Sequence, residues 1–226
     1  MSRGTPPRRT QTGLSLVELM VGVAVGLIVV SGAINLFSTN LAATRRVQAE
    51  TRLNQDLRAA ADLVARDLRR AGYWGNAIQG TQAQGATATT VANPYREMSV
   101  SAGTLSYGFS RDATENNTLD DPERFGFRLQ SGAMQMQTAA GVWQTVTDPN
   151  QVNVLAFTIT PTTTTLGLGH LCPKTCTTAS ATCPTVQVRR YDVQLQGRSV
   201  RYADMVRTLP LSVRVRNERL EGVCPA

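Results

Sequence analysis

Histidine and lysine are almost missing from this chain: His170 and Lys174 are the only ones among 226 residues. A single imidazole excludes a multi-histidine metal centre and a histidine-rich active site. Aromatic residues make up 5%, too few for an extended base-stacking platform. There is no serine in a nucleophile-elbow motif and no phosphate-cradling G-x-x-x-x-G-K. His170 and Cys172 lie too close in sequence to argue for a protease dyad. Proline is absent between Pro7 and Pro94, which leaves a long stretch free of the strongest helix breaker. Charge is absent from residues 14–44 except at Glu18.

What is present is a basic balance with an uneven distribution. The formal net charge is +7. Residues 1–13 carry +3, residues 14–44 carry −1, residues 45–71 carry +3 and the remainder carries +2. Much of the excess therefore flanks an apolar run. That pattern favours membrane topology over nucleic acid as a partner.

Residues 14–37 are long enough to span a bilayer, which needs about 20 apolar residues. Arg3, Arg8 and Arg9 precede them, so the N-terminus is expected in the cytoplasm and the rest beyond the inner membrane. An ordinary secretory signal has a shorter apolar core. Glu18 is costly so near the start of such a span and calls for a specific cationic partner. Gly22 and Gly26 form a G-x-x-x-G pair, which lets membrane helices approach closely.

The string Gly13-Leu14-Ser15-Leu16-Val17-Glu18 resembles the type IV prepilin signature. That signature is a basic leader, a glycine, a cleavage point and an apolar helix with glutamate at its fifth position. The resemblance implies cleavage between Gly13 and Leu14 by a prepilin peptidase and N-methylation of Leu14. It also implies docking of Glu18 on the N-terminal amine of a neighbouring subunit. Leucine at the first mature position departs from the commoner phenylalanine.

Beyond the span, Leu53, Leu57, Ala60, Val64, Leu68 and Ala71 recur at helical spacing and mark one apolar face. Asp62 and Arg66 stand in the favourable i,i+4 order, and Gly72 is a plausible stop. The arginines at 45, 46, 52, 58, 66, 69 and 70 read as a solvated face laced with ion pairs. Residues 76–93 read as a loop. Strands are expected at 98–109, 124–129, 133–137, 142–147, 152–160, 186–196 and 208–216.

The strings Arg69-Arg70-Ala71-Gly72-Tyr73-Trp74-Gly75 and Val213-Arg214-Val215-Arg216-Asn217, with the 143–150 region between them, resemble PilW-type minor pilins. These are related to the J-type pseudopilins of type II secretion. The implied fold is α+β and pilin-like: a long N-terminal helix packed on an antiparallel β-sheet domain. The division is a leader at 1–13, a membrane and assembly half at 14–40, an amphipathic half at 41–72 and a periplasmic domain at 73–226. A threonine-rich, cysteine-containing loop is expected at 158–185.

Cys172, Cys176, Cys183 and Cys224 all follow the span, so disulfides are expected there. Three connectivities are open. C-x-x-C spacing is absent, which argues against zinc. Asp112, Glu115, Asp120, Asp121 and Glu123 read as a solvated acidic loop without EF-hand spacing. No metal, cofactor or enzymatic activity is implied.

The expected function is that of a minor pilin in a tip or priming complex. Its expected partners are the peptidase, other minor pilins, the major pilin, a tip adhesin and, before assembly, inner-membrane lipid. A pseudopilin of a secretion system is the alternative. DNA capture by the arginines at 189, 190, 198, 201, 207, 214, 216 and 219 is a third reading, against which their alternation on strands counts.

Overall fold

The computed structural model describes residues 13, 15–81, 91–174, 176 and 183–225. The chain divides into two units, residues 1–48 and 49–226. Helix α1, Leu16–Arg70, contributes to both.

In the first unit every described residue of α1 up to Val47 is solvent-facing. The polar side chains on this segment turn back onto the helix. Ser31 Oγ donates to the Ile28 carbonyl, Asn35 Nδ2 to Ser31, and Ser38 Oγ and Thr39 Oγ1 to Asn35. Donors bonded to the helix's own backbone cost less to remove from water.

In the second unit the expected apolar stripe is buried. Leu53, Leu57, Ala60, Val64, Leu68 and Ala71 each expose 1% or less. Asp62 and Arg66 form no ion pair; instead Arg70 bonds Asp67 at 2.9 Å, one turn below it. The helix stops where the sequence suggests. Gly72 adopts φ +76°, a left-handed conformation that costs glycine little, and Tyr73 N–H closes on the Arg70 carbonyl at 3.0 Å.

The stripe packs into a core fed by two antiparallel sheets, where one was expected. The first is a five-stranded meander of β1 (Met98–Ser101), β2 (Thr104–Gly108), β3 (Arg124–Gln130), β4 (Ala133–Ala139) and β5 (Val142–Thr145). The second pairs β6 (Val152–Gly167) with β7 (Thr185–Ser199) and β7 with β8 (Val206–Arg214). A short β9 (Arg219–Glu221) continues the β8 side of β7. Leu105, Tyr107, Phe125, Phe127 and Met134 from the first sheet and Val152, Tyr191, Val193, Leu195 and Val213 from the second join the helical stripe in one core. Gly197 makes room for this contact, because a Cβ there would lie 2.9 Å from Leu57 Cδ2.

Three elements differ from expectation. The single strand expected at 98–109 is a hairpin, turned at Ala102 and Gly103, both with positive φ. The expected loop at 158–185 begins as sheet: β6 runs to Gly167 and is paired with β7 along its length. Threonine is β-branched and at home in a strand even without apolar alternation. Within 76–93, residues Ala77–Gly80 form a 3-10 turn, and residues 82–90 lie outside the described residues.

Candidate functional site

Two features distinguish this molecule from an ordinary α+β domain: the apolar start of α1 and the junction where α1 ends.

The start of α1 is apolar on all sides. Leu16, Val17, Met20, Leu27, Ile28, Leu36 and Phe37 expose 65% or more. The segment's mean hydropathy is 2.3, long and apolar enough to cross a membrane. Water cannot stably face so much contiguous apolar surface. Such a segment needs lipid or the flanks of other helices. Glu18 sits in its first turn, where a carboxylate faces the positive end of the helix dipole. Gly22 and Gly26 follow it at four-residue intervals on the same face, and a Cβ added at either would meet nothing within 4 Å. Gly13 is described and exposed; Leu14 and residues 1–12 lie outside the described residues.

The junction joins the two sequence strings that carried the second resemblance. Asn217 Nδ2 donates to the carbonyls of Arg70 and Ala71, each at 3.1 Å. Those carbonyls are among the orphan acceptors of a helix end. Arg189 locks the same corner, donating from Nη1 to the Arg96 carbonyl and from Nη2 to the Asn217 carbonyl at 2.9 Å. Burial pushes its pKa down from the usual guanidinium range, with the nearby Arg219 charge working in the same direction. Asp67, buried beneath the helix end, accepts from Tyr107 Oη at 2.9 Å. Burial and the Asp67 charge hold that tyrosine well above the ordinary phenol range.

The acidic segment is more than a solvated loop. Glu123 is buried and accepts N–H bonds from Arg111 and Asp120, with Tyr95 Oη at 3.0 Å. Burial opposes ionisation of Glu115. Hydrogen bonds from Ser110, the Asn117 N–H, Tyr95 and the Gly75 N–H outweigh it and hold its carboxyl below the usual range. Through Gly75 and the Trp74 Nε1–Asn117 bond at 2.9 Å, this segment is tied to the residues just after α1. Oxygens of Asp112, Asp120 and Glu123 lie within 4.8 Å of one another. Each Glu123 oxygen accepts one backbone N–H bond, Oε1 from Arg111 and Oε2 from Asp120.

The cysteines pair as Cys172–Cys224 and Cys176–Cys183, so neither pair is available as thiolate for zinc. Among the C-terminal arginines, Arg189 is buried. Arg190 pairs with Asp192, Arg207 with Glu50, Arg214 with Glu218, and Arg219 with Glu97 and Glu221. Arg198, Arg201 and Arg216 remain outside these pairs.

The sequence reading missed Tyr95, Asp67, Tyr107 and the capping role of Asn217. Their partners lie 28, 40 and about 147 residues away, beyond any local pattern.

A family profile described as prepilin peptidase-dependent protein B matches residues 46–215, three-quarters of the chain. The chain belongs to that family. A second profile, the prokaryotic N-terminal methylation motif, matches residues 8–34. It covers Arg8, Arg9, Gly13, Leu14, Glu18, Gly22 and Gly26. No curated protein and no solved structure matches the chain significantly. The chain is thus a type IV pilin-like, prepilin peptidase-dependent protein. Membership points to a structural protein rather than an enzyme, and the apolar N-terminal helix fits a membrane-anchored pilin.

Proposed function

We propose that this chain is a minor pilin that joins a tip or priming complex and helps initiate pilus assembly. The observation that carries the reading is an apolar helix, exposed on every side, with Glu18 in its first turn. On this reading a prepilin peptidase cuts between Gly13 and Leu14 and the new amine of Leu14 is methylated. The apolar half of α1 rests in inner-membrane lipid until it moves into a bundle of other minor pilins and the major pilin. The globular unit then lies on the periplasmic side, and a tip adhesin is a further partner.

Glu18 guides docking because an apolar bundle has little to offer a carboxylate except a cation. An incoming N-terminal ammonium is such a partner. Gly22 and Gly26, on the same face, let the partner helix come close enough for that pairing. A J-like pseudopilin in a secretion pseudopilus uses the same helix chemistry. Loss of surface pili with secretion intact separates the two systems.

Glu18→Ala should leave membrane insertion and leader cleavage intact while reducing incorporation into filaments at least tenfold. Immunoblots of membrane and sheared-filament fractions measure both. Normal incorporation of the variant would overturn the docking role.

A further inference from the structure

The sheet edges are guarded unequally. Edge strands normally carry charge, proline or a bulge, or are kept short, because unpaired N–H and C=O groups recruit other chains. Edges β1 and β5 are four residues each. Edge β8 carries Arg207, Pro210 and Arg214. Edge β6 is 16 residues long, and no Asp, Glu, Lys or Arg occurs between Asp148 and Lys174.

The ladder's phase shows which backbone groups this edge presents. Val215 N–H donates to Arg189 at 3.0 Å, and Leu168 N–H donates to Pro184 at 2.8 Å. Odd-numbered residues of β7 therefore turn their backbone groups toward β8, and even-numbered ones toward β6. Ile159, Pro161, Thr163 and Thr165 pair with Val193, Tyr191, Arg189 and Gln187. Their own N–H and C=O groups, with those of Gly167, consequently point away from β7. The register thus puts Pro161, which has no N–H, where no ladder bond is lost. Among the described residues these outward groups have no backbone partner. Nearer its start the strand is covered, since Val154 N–H reaches Gly132 at 2.7 Å.

Side chains add a second, independent feature. Leu166, Val186 and Leu220 lie opposite one another across β6, β7 and β9. Leu166 is 49% and Leu220 44% exposed. This apolar row runs to the open edge, where one more strand would extend it.

We propose that the β6 edge from Ile159 to Gly167 receives an extended, uncharged strand of another protein, with an apolar residue beside Leu166. Main-chain bonds supply affinity and the apolar row supplies register. The free edge is about 27 Å long at strand spacing, enough for a segment of about eight residues. A charge-free edge disfavours a charged strand, which would face no counter-charge there. A second copy of this chain is a poorer occupant, since symmetric pairing of two β6 edges would lose the Pro161 donor twice. The inference is independent of the docking role of Glu18.

The test uses the full chain in its own cells, with a photo-crosslinking amino acid at 163 or 165. The expected result is adducts that map by mass spectrometry to one uncharged segment of a different protein, at partner residues about two apart. Thr163→Pro in the 165-labelled chain removes an outward N–H without touching the ladder. It should cut adduct yield at least tenfold while leaving the domain's thermal midpoint within a few degrees. Adducts to a second copy, adducts scattered over several segments, or none from a chain present in normal amounts would overturn the proposal. So would full yield with Thr163→Pro. Leader cleavage and filament incorporation, followed in parallel, report on the pilin reading separately.

Discussion

One helix, α1, serves two opposite purposes. Leu27 and Leu57 are the same residue type thirty positions apart, yet Leu27 is 65% exposed and Leu57 1%. Around Leu57 the apolar residues form a stripe, and the remaining faces carry Arg52, Arg58, Asp62 and Arg66. Around Leu27 there is no polar face. A stripe specifies one partner surface from the same chain, while an apolar cylinder specifies an apolar surrounding. The width of the apolar face, rather than its hydrophobicity, separates a surface that packs on its own chain from one that faces outward here.

The comparison is broken most sharply by leucine-to-alanine exchange. Leu57→Ala should destabilise the globular unit by about 2–5 kcal/mol, the range for emptying a well-packed leucine site. Leu27→Ala should leave its unfolding midpoint unchanged. Chemical denaturation followed by the fluorescence of Trp74 and Trp143 measures both, and equal effects would erase the distinction.

A smaller change is expected at the helix end. Asn217→Ala removes donors from the Arg70 and Ala71 carbonyls and should cost about 1–2 kcal/mol. Hydrogen exchange should rise in the last turn of α1, whose neighbours in the following segment include Tyr73, and remain unchanged near Leu27.

The smallest effect is a pH dependence confined to the globular unit. Glu115 has a lowered folded pKa, so its contribution is complete above the ordinary carboxylate range and is lost as pH falls through the folded value. In a Trp143→Phe background, Trp74 fluorescence should report loosening of the 110–123 segment at that pH. Glu115→Gln should abolish the transition.

The stripe and the Gly72 stop were legible because both are local: a 3.6-residue period and a conformational preference. The prepilin signature was legible because leader charge, glycine, glutamate and span length coincide within a few residues. The 98–109 hairpin was hidden because its turn begins with Ala102, a residue that seldom marks one. The extension of β6 was hidden because threonines at 162–165 show no apolar alternation. Burial of Glu123 depends on Tyr95 and on backbone N–H groups contributed by the fold. Spacing alone left three disulfide pairings open. The Cys172–Cys224 bridge spans 52 residues, a closure set by where β9 returns to β7. Two of these concealed features, the turn at Ala102 and the threonine run of β6, are local; the Glu123 contacts and the Cys172–Cys224 bridge are long-range.

Asn217 has a consequence in time as well as in space. A ribosome finishes α1 nearly 150 residues before it makes the side chain that caps the helix. Until then the Arg70 and Ala71 carbonyls lack their side-chain donor, and neither β9 nor Cys224 exists to close its part of the sheet. Contacts of such sequence separation form slowly. The emerging chain therefore carries an uncovered hydrophobic stripe until the strands of both sheets have been made, and the helix end gains its side-chain cap only once Asn217 arrives.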